Sequence, residues 1–197
     1  MVQAVVTVLA VINPVVCGSI FLTLTPGLAP AQRRSAAIKV ALSILIILTA
    51  SALIGLKVLG VFNISLDVFR IVGGMIIAFM GFDMLRGRQT VAQTPDHDRA
   101  AGSNSFAPLI MFAAGPGTIT AVVTLAAVHA PDGLPVTAIV ASVTGAAVTL
   151  AALLLAVRLG PHLNRATQAL VTRFMGLIVA SMGMQFVLTG LKAFFTT

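Results

Sequence analysis

Ala113-Ala114-Gly115-Pro116-Gly117-Thr118 interrupts an otherwise continuous apolar segment, and Ile12-Asn13-Pro14-Val15 does the same near the amino terminus. A proline within a helix has no N–H to donate, and its ring crowds the carbonyl four residues earlier. Pro116 therefore deprives the carbonyl of Phe112 of its helical partner, and Pro14 does the same to Ala10. Gly115 and Gly117 let the backbone turn freely around the second proline. In a hydrocarbon environment such freed groups persist only where they are buried in protein or line a wet cavity. Two interruptions in corresponding places point to a site.

The environment is indeed hydrocarbon. Of 197 residues 58% are hydrophobic and only 9% charged, and the mean hydropathy is +1.08. These values exclude a soluble domain of this size and define an all-α integral membrane protein in a lipid bilayer. The net charge of +7 comes from Lys and Arg gathered at the ends of apolar segments, which is how a membrane protein orients itself, and no nucleic-acid partner is expected. No Lys or Arg precedes the first apolar run and no A-x-A-like site follows it, so that run is read as a retained span. Cys17 is the single cysteine, and His97, His129 and His162 have no ligand-like spacing, so neither a disulfide nor a metal site is expected.

A span needs roughly 20 apolar residues, and six segments qualify: 3–26, 37–59, 66–86, 106–129, 134–158 and 170–191. Nine of the twelve Lys and Arg then fall on one side, among them Arg33, Arg34, Lys39, Arg86 and Arg158, and three on the other: Lys57, Arg70 and Lys192. That bias places both termini outside and the odd-numbered loops in the cytoplasm.

The longest connection, 88–105, is polar and reads as a cytoplasmic linker between two three-span halves, 1–87 and 106–197. The halves are related. Advancing by 102 residues pairs Pro14 with Pro116, Gly74 with Gly176, Ile76 with Ile178, Ala78 with Ala180, Met80 with Met182 and Gly81 with Gly183. With three spans each, the halves enter the membrane from opposite sides, so the fold expected is two inverted-topology repeats with broken helices 1 and 4, as in many secondary transporters. The small-residue faces Gly74/Ala78, Gly176/Ala180 and Ala141/Gly145/Thr149 are read as helix packing.

Each half-helix after a proline begins with unpaired N–H groups suited to a carboxylate. The carbonyls of Ala10 and Phe112 suit an ammonium or a cation. Together they would hold a zwitterionic amino acid without any charged side chain. Asn13, Cys17, Gly18, Ser19, Thr118 and Thr120 around the breaks are small, so a small neutral substrate side chain is expected. Asp83 is the one acid within a span, and Gln185 is its repeat equivalent. Together they are the candidate positions for a coupling proton or sodium ion, although Asp83 stands three residues before Arg86, and an ion pair between them is the competing expectation. All five acids are Asp, and none has a catalytic partner at the right spacing, so no enzyme and no cofactor are expected. No phosphate-binding G-x-x-x-x-G-K-[ST] motif occurs either.

Through Asn13-Pro14, Ile20-Phe21, Gly73-Gly74, Asp83-Met84-Leu85 and Gly115-Pro116-Gly117, the chain resembles, over nearly its whole length, the MarC family of bacterial inner-membrane proteins, which includes archaeal transporters of small neutral amino acids. The family usually has Asp before the first proline, Gly two residues after it and Pro before the Ile-Phe pair. Here those positions hold Asn13, Val16 and Ser19, and Met111 replaces a further common Pro. The resemblance implies six spans, both termini outside the inner membrane, and transport of Gly, Ala, Ser or Thr-like substrates driven by an ion gradient. The alternatives are a channel or exporter for another small polar metabolite and a non-transporting membrane scaffold. The direction of transport and the oligomeric state are open at this level.

Overall fold

The computed structural model describes residues 1–87, 106–129, 133–159 and 165–196. The linker expected at 88–105 lies outside them, as do His97 and His162. The described residues form eight α-helices and no strand: α1 (Val2–Ile12), α2 (Pro14–Leu24), α3 (Pro30–Val61), α4 (Leu66–Leu85), α5 (Ala107–Ala113), α6 (Pro116–His129), α7 (Val136–Leu159) and α8 (Arg165–Thr196). Pairs α1–α2 and α5–α6 each make one interrupted span. With the other four helices they give six apolar segments of membrane-spanning length.

Helix boundaries follow from local chemistry. Helix α3 begins with Pro30 in its first turn, and the Gln32 side chain accepts from the Ala29 N–H at 3.1 Å. It therefore starts well before residue 37, and Arg33, Arg34 and Lys39 ride on its first turns rather than in a loop. The expected boundary was misplaced because a charge marks the membrane interface, not the end of the hydrogen-bonded helix. Helix α3 ends at Val61, and beyond it the left-handed φ of 52° at Asn63 lets the Ile64 N–H reach back to the Leu59 carbonyl at 2.9 Å. Ser65 then caps α4 through Val68 N–H, 3.3 Å from its Oγ.

The most extensive helix contact joins α4 to α8, antiparallel. It is built on backbone proximity, as expected where lipid removes the hydrophobic drive between helices. A Cβ on Gly74 would lie 2.7 Å from the Gly183 carbonyl oxygen and 2.9 Å from Phe186 Cβ; one on Gly176 would lie 2.9 Å from the Gly81 carbonyl oxygen and 2.8 Å from Met84 Cβ. A shift of 102 residues converts the first set of contacts into the second. Gly81 against Ala180 and Gly183 against Ala78 are exchanged in the same way. The small-residue faces are thus consumed within the chain. Gly145 on α7 likewise receives Ile12 and Val8 of α1.

Candidate functional site

At the first break α1 stops at Ile12 and Asn13 takes a left-handed conformation, φ 52° and ψ 73°. Its N–H closes α1 on the Leu9 carbonyl at 2.9 Å, while its carbonyl accepts from Cys17 N–H at 3.1 Å. One residue is thus the last cap of α1 and the first cap of α2. The Val16 N–H lies 3.4 Å from Asn13 Oδ1. Because an N–H needs an acceptor, this contact identifies the oxygen of the amide and leaves Nδ2 on the other side. Asn13 is only 3% exposed, and its Nδ2 has no hydrogen-bond partner. The Ile12 carbonyl accepts from Cys17 Sγ at 3.3 Å.

This changes the expectation for α2. Its N-terminus is not simply open, because the Asn13 side chain satisfies one of its donors. What the break holds instead is a buried amide NH₂, a donor without a partner, and the Ala10 carbonyl, which Pro14 has no N–H to serve.

The second break has a different construction. Helix α5 closes with Ala114 N–H on the Ile110 carbonyl at 2.8 Å, and α6 opens at Pro116 with Ile119 N–H on the Gly115 carbonyl at 2.9 Å. No side chain stands at the Gly115 position to cap α6. Gly115 is buried, and a Cβ there would collide with the Met111 carbonyl oxygen. Phe112 is 6% exposed and Thr118 1%.

Both breaks belong to one packed core, in which Ile12, Val16 and Cys17 cluster with Phe112, Ala113 and Ala114. Ile77 of α4, fully buried, packs with Val11 before the first break and Ala121 after the second. A Cβ on Gly117 would lie 2.6 Å from Ile77 Cγ1.

Several expected site residues serve packing. Gly117 faces Ile77, and Thr120 fills the space left by Gly73 while its hydroxyl donates to the Pro116 carbonyl at 2.9 Å. Gly18 faces Ala156 of α7, and Ser19 Oγ donates to the Val15 carbonyl at 3.3 Å. Asp83 and Gln185 do not come together. They follow Gly81 and Gly183 on antiparallel helices, so they point toward opposite ends of the α4–α8 pair. Asp83 makes no ion pair with Arg86; among the described residues the ion pair is Asp67–Arg70, at 3.5 Å.

Three residues not offered as site candidates from the sequence, Gln3, Thr7 and His129, line a cavity of about 530 Å³ between α1, the end of α6 and α8, together with Gln185, which was. Thr124, 8% exposed, has a hydroxyl without a partner and sits beside the cavity-lining Leu125. Gln3 and Thr7 carried a signal: polar residues four apart fall on one face of an otherwise apolar helix.

Six apolar segments of membrane-spanning length, two of them interrupted, define a polytopic α-helical membrane protein. Residues 1–195 match the MarC family of integral membrane proteins, and the chain belongs to that family. It is 32% identical over 187 residues to a UPF0056 membrane protein of Pyrococcus abyssi, covering 94% of this chain and 91% of the relative. To the UPF0056 membrane protein YvbG of Bacillus subtilis it is 31% identical over 196 residues, covering 96% and 93%. A third relative, the UPF0056 inner membrane protein MarC of Escherichia coli, is 31% identical over 130 residues, with 61% and 59% covered. No solved structure matches the chain.

Proposed function

We propose that this protein is a secondary transporter of small neutral amino acids, of the Gly, Ala, Ser or Thr kind, working by alternating access of two inverted repeats about the breaks at Pro14 and Pro116. The observation that carries this proposal is the pair of interruptions 102 residues apart, one of which holds the buried, unpartnered Nδ2 of Asn13. The reciprocal contacts of Gly74 and Gly176 support the repeat relation. In the bound state Asn13 Nδ2 and the first N–H groups of α6 would take the substrate carboxylate, and the carbonyls of Ala10 and Phe112 its ammonium. Both termini outside and the linker in the cytoplasm follow from the charge bias and belong to the same proposal, as does a coupling proton or sodium ion at Asp83.

Uptake and counterflow of labelled alanine in proteoliposomes, with and without an imposed proton or sodium gradient, test it. A carrier shows saturable uptake stimulated by substrate on the far side. Uptake without that stimulation identifies a channel, and no exchange of glycine, alanine, serine or threonine by folded protein refutes the proposed substrate class.

A further inference from the structure

The two repeats match across α4 and α8, and α2 packs on α7 as α6 packs on α3, but one pair breaks the relation. Helix α4 lies along α6, through Gly73 on Thr120 and Ile77 on Gly117, whereas α8 and α2, the pair that the repeat relation makes equivalent, touch only briefly. On the side of the termini, α1, the end of α6 and α8 enclose the cavity lined by Gln3, Thr7, His129 and Gln185.

At the described positions equivalent to the α1 wall of this cavity, larger side chains stand on the linker side, where Phe106 also lines a separate cavity of about 360 Å³ with Gln32 and Lys39. The repeat equivalents of Ala4, Thr7 and Phe186 are Phe106, Leu109 and Met84. Phe106 stacks on Phe21 with ring centroids 5.9 Å apart, and Phe21, Leu109 and Met84 are exposed by 0%, 0% and 2%.

The described residues that line the open cavity include no Asp, Glu, Lys or Arg. The cavity is of a size that takes a small molecule. Thr7 lies about 9 Å along α1 from Asn13 at ~1.5 Å per residue. Thr124, with its unpartnered hydroxyl, precedes the cavity-lining Leu125 on α6, the helix that begins at the second break.

We propose that the cavity is the entry site through which a small zwitterionic or neutral polar molecule reaches the breaks from the side of the termini, and that Phe21, Phe106, Leu109 and Met84 form the closed gate of an equivalent exit toward the linker. This rests on the carrier proposal above. In the opposite state α2 meets α8 as α6 now meets α4, the entry cavity closes, and Asp83 becomes as open as Gln185 is now. The exit would then carry an acid where the entry carries an amide.

Met182 lines the cavity, and its repeat equivalent Met80 is half-buried on the linker side. Each is replaced by Cys and probed with a membrane-impermeant thiol reagent in vesicles of known orientation. The native Cys17 is buried and serves as the blank. Met182→Cys is expected to react at least about tenfold faster from the termini side than Met80→Cys does from the linker side, since a minor state holds a few per cent of molecules or less. Adding Thr7→Trp fills the entry; Met182→Cys should then slow and Met80→Cys accelerate several-fold. Thr7→Leu, the residue found at the equivalent position, is the milder variant should Trp prevent folding.

An unreactive Met182→Cys in otherwise native protein would show that the cavity is not a water path. A Met80→Cys that stays inert when the entry is filled would show a fixed asymmetry, set by Phe106 and Leu109 being larger than Ala4 and Thr7. Either result overturns the proposal. No substrate is needed, so failure of alanine to be transported would strike the substrate class without altering these outcomes.

Discussion

Asn13 and Gly115 occupy equivalent places, 102 residues apart, and solve the same backbone problem in opposite ways. Asn13 turns left-handed and caps the next helix with its own side chain. Gly115 has neither a left-handed φ nor a side chain; it lets the Met111 carbonyl approach where a Cβ would stand. The first break is thus a property of a side chain and the second a property of empty space. One should tolerate exchange of its residue and the other should not.

Swapping the two residues tests this most severely. Gly115→Asn must push a Cβ against a backbone carbonyl that cannot rotate away, an overpacking that costs roughly 1–3 kcal/mol. It should lower the thermal midpoint in detergent by several degrees and abolish alanine exchange. Asn13→Gly suits the left-handed backbone and loses a cap for only a few tenths of a kcal/mol. That variant should melt close to the native protein yet still transport poorly, having lost the Nδ2 donor. Equal destabilisation by both changes would erase the distinction between the breaks.

A second substitution sharpens the role of that donor. Asn13→Asp keeps an oxygen for Val16 N–H and places a carboxylate at the start of α2, where the helix dipole favours it by about 0.3–1 kcal/mol. The folded state should be retained. A carboxyl group can donate as Nδ2 does only while protonated, so alanine uptake by this variant should fall as pH rises through the titration of that group, a dependence the native amide lacks. A pH profile parallel to that of the native protein would remove Nδ2 from the binding step.

Much of this difference was readable from the chain and part of it was not. Pro14 and Pro116 marked the breaks because their effect on the backbone is covalent and local. The six spans followed from charge-free length. The cap at Asn13 was readable as well, since Asn followed by Pro is a helix-start pattern, but the proline drew the interpretation toward interruption alone. The faces of Gly117, Thr120 and Gly18 were not readable. Helices apolar on every side carry no periodic signal of which face meets protein and which meets lipid. The separation of Asp83 from Gln185 needed the antiparallel geometry of α4 and α8, which residue pairing by repeat does not contain.

The linker-side end of α4 extends the comparison to coupling. Asp83 is half-buried and makes no ion pair among the described residues, so Asp83→Asn should leave stability within about 0.5 kcal/mol of native. If Asp83 carries the coupling ion, gradient-driven uptake should fall to the level of passive exchange while counterflow of alanine continues. Loss of both activities in folded protein would give Asp83 a place in substrate passage rather than in coupling.

The smallest expected effects separate two threonines one helical turn apart on α6. Thr120 donates to the Pro116 carbonyl and packs into Gly73, so its hydroxyl already has a partner at the second break. Thr124 is also buried, but its hydroxyl has none. Thr120→Val removes a made hydrogen bond and should destabilise by about 0.5–1.5 kcal/mol. Thr124→Val removes a buried group that nothing satisfies, so it should be neutral or slightly stabilising, because the folded state no longer carries an unpaired hydroxyl. If the entry path passes Thr124, that gain in stability comes with a loss of substrate affinity, seen as a raised half-saturation for alanine at unchanged maximal exchange. Thr120→Val should instead show the stability change alone. The two hydroxyls then differ for the same reason as Asn13 and Gly115: where the backbone of an interrupted span already uses a polar atom the position is structural, and where that atom is left over it is available to a ligand.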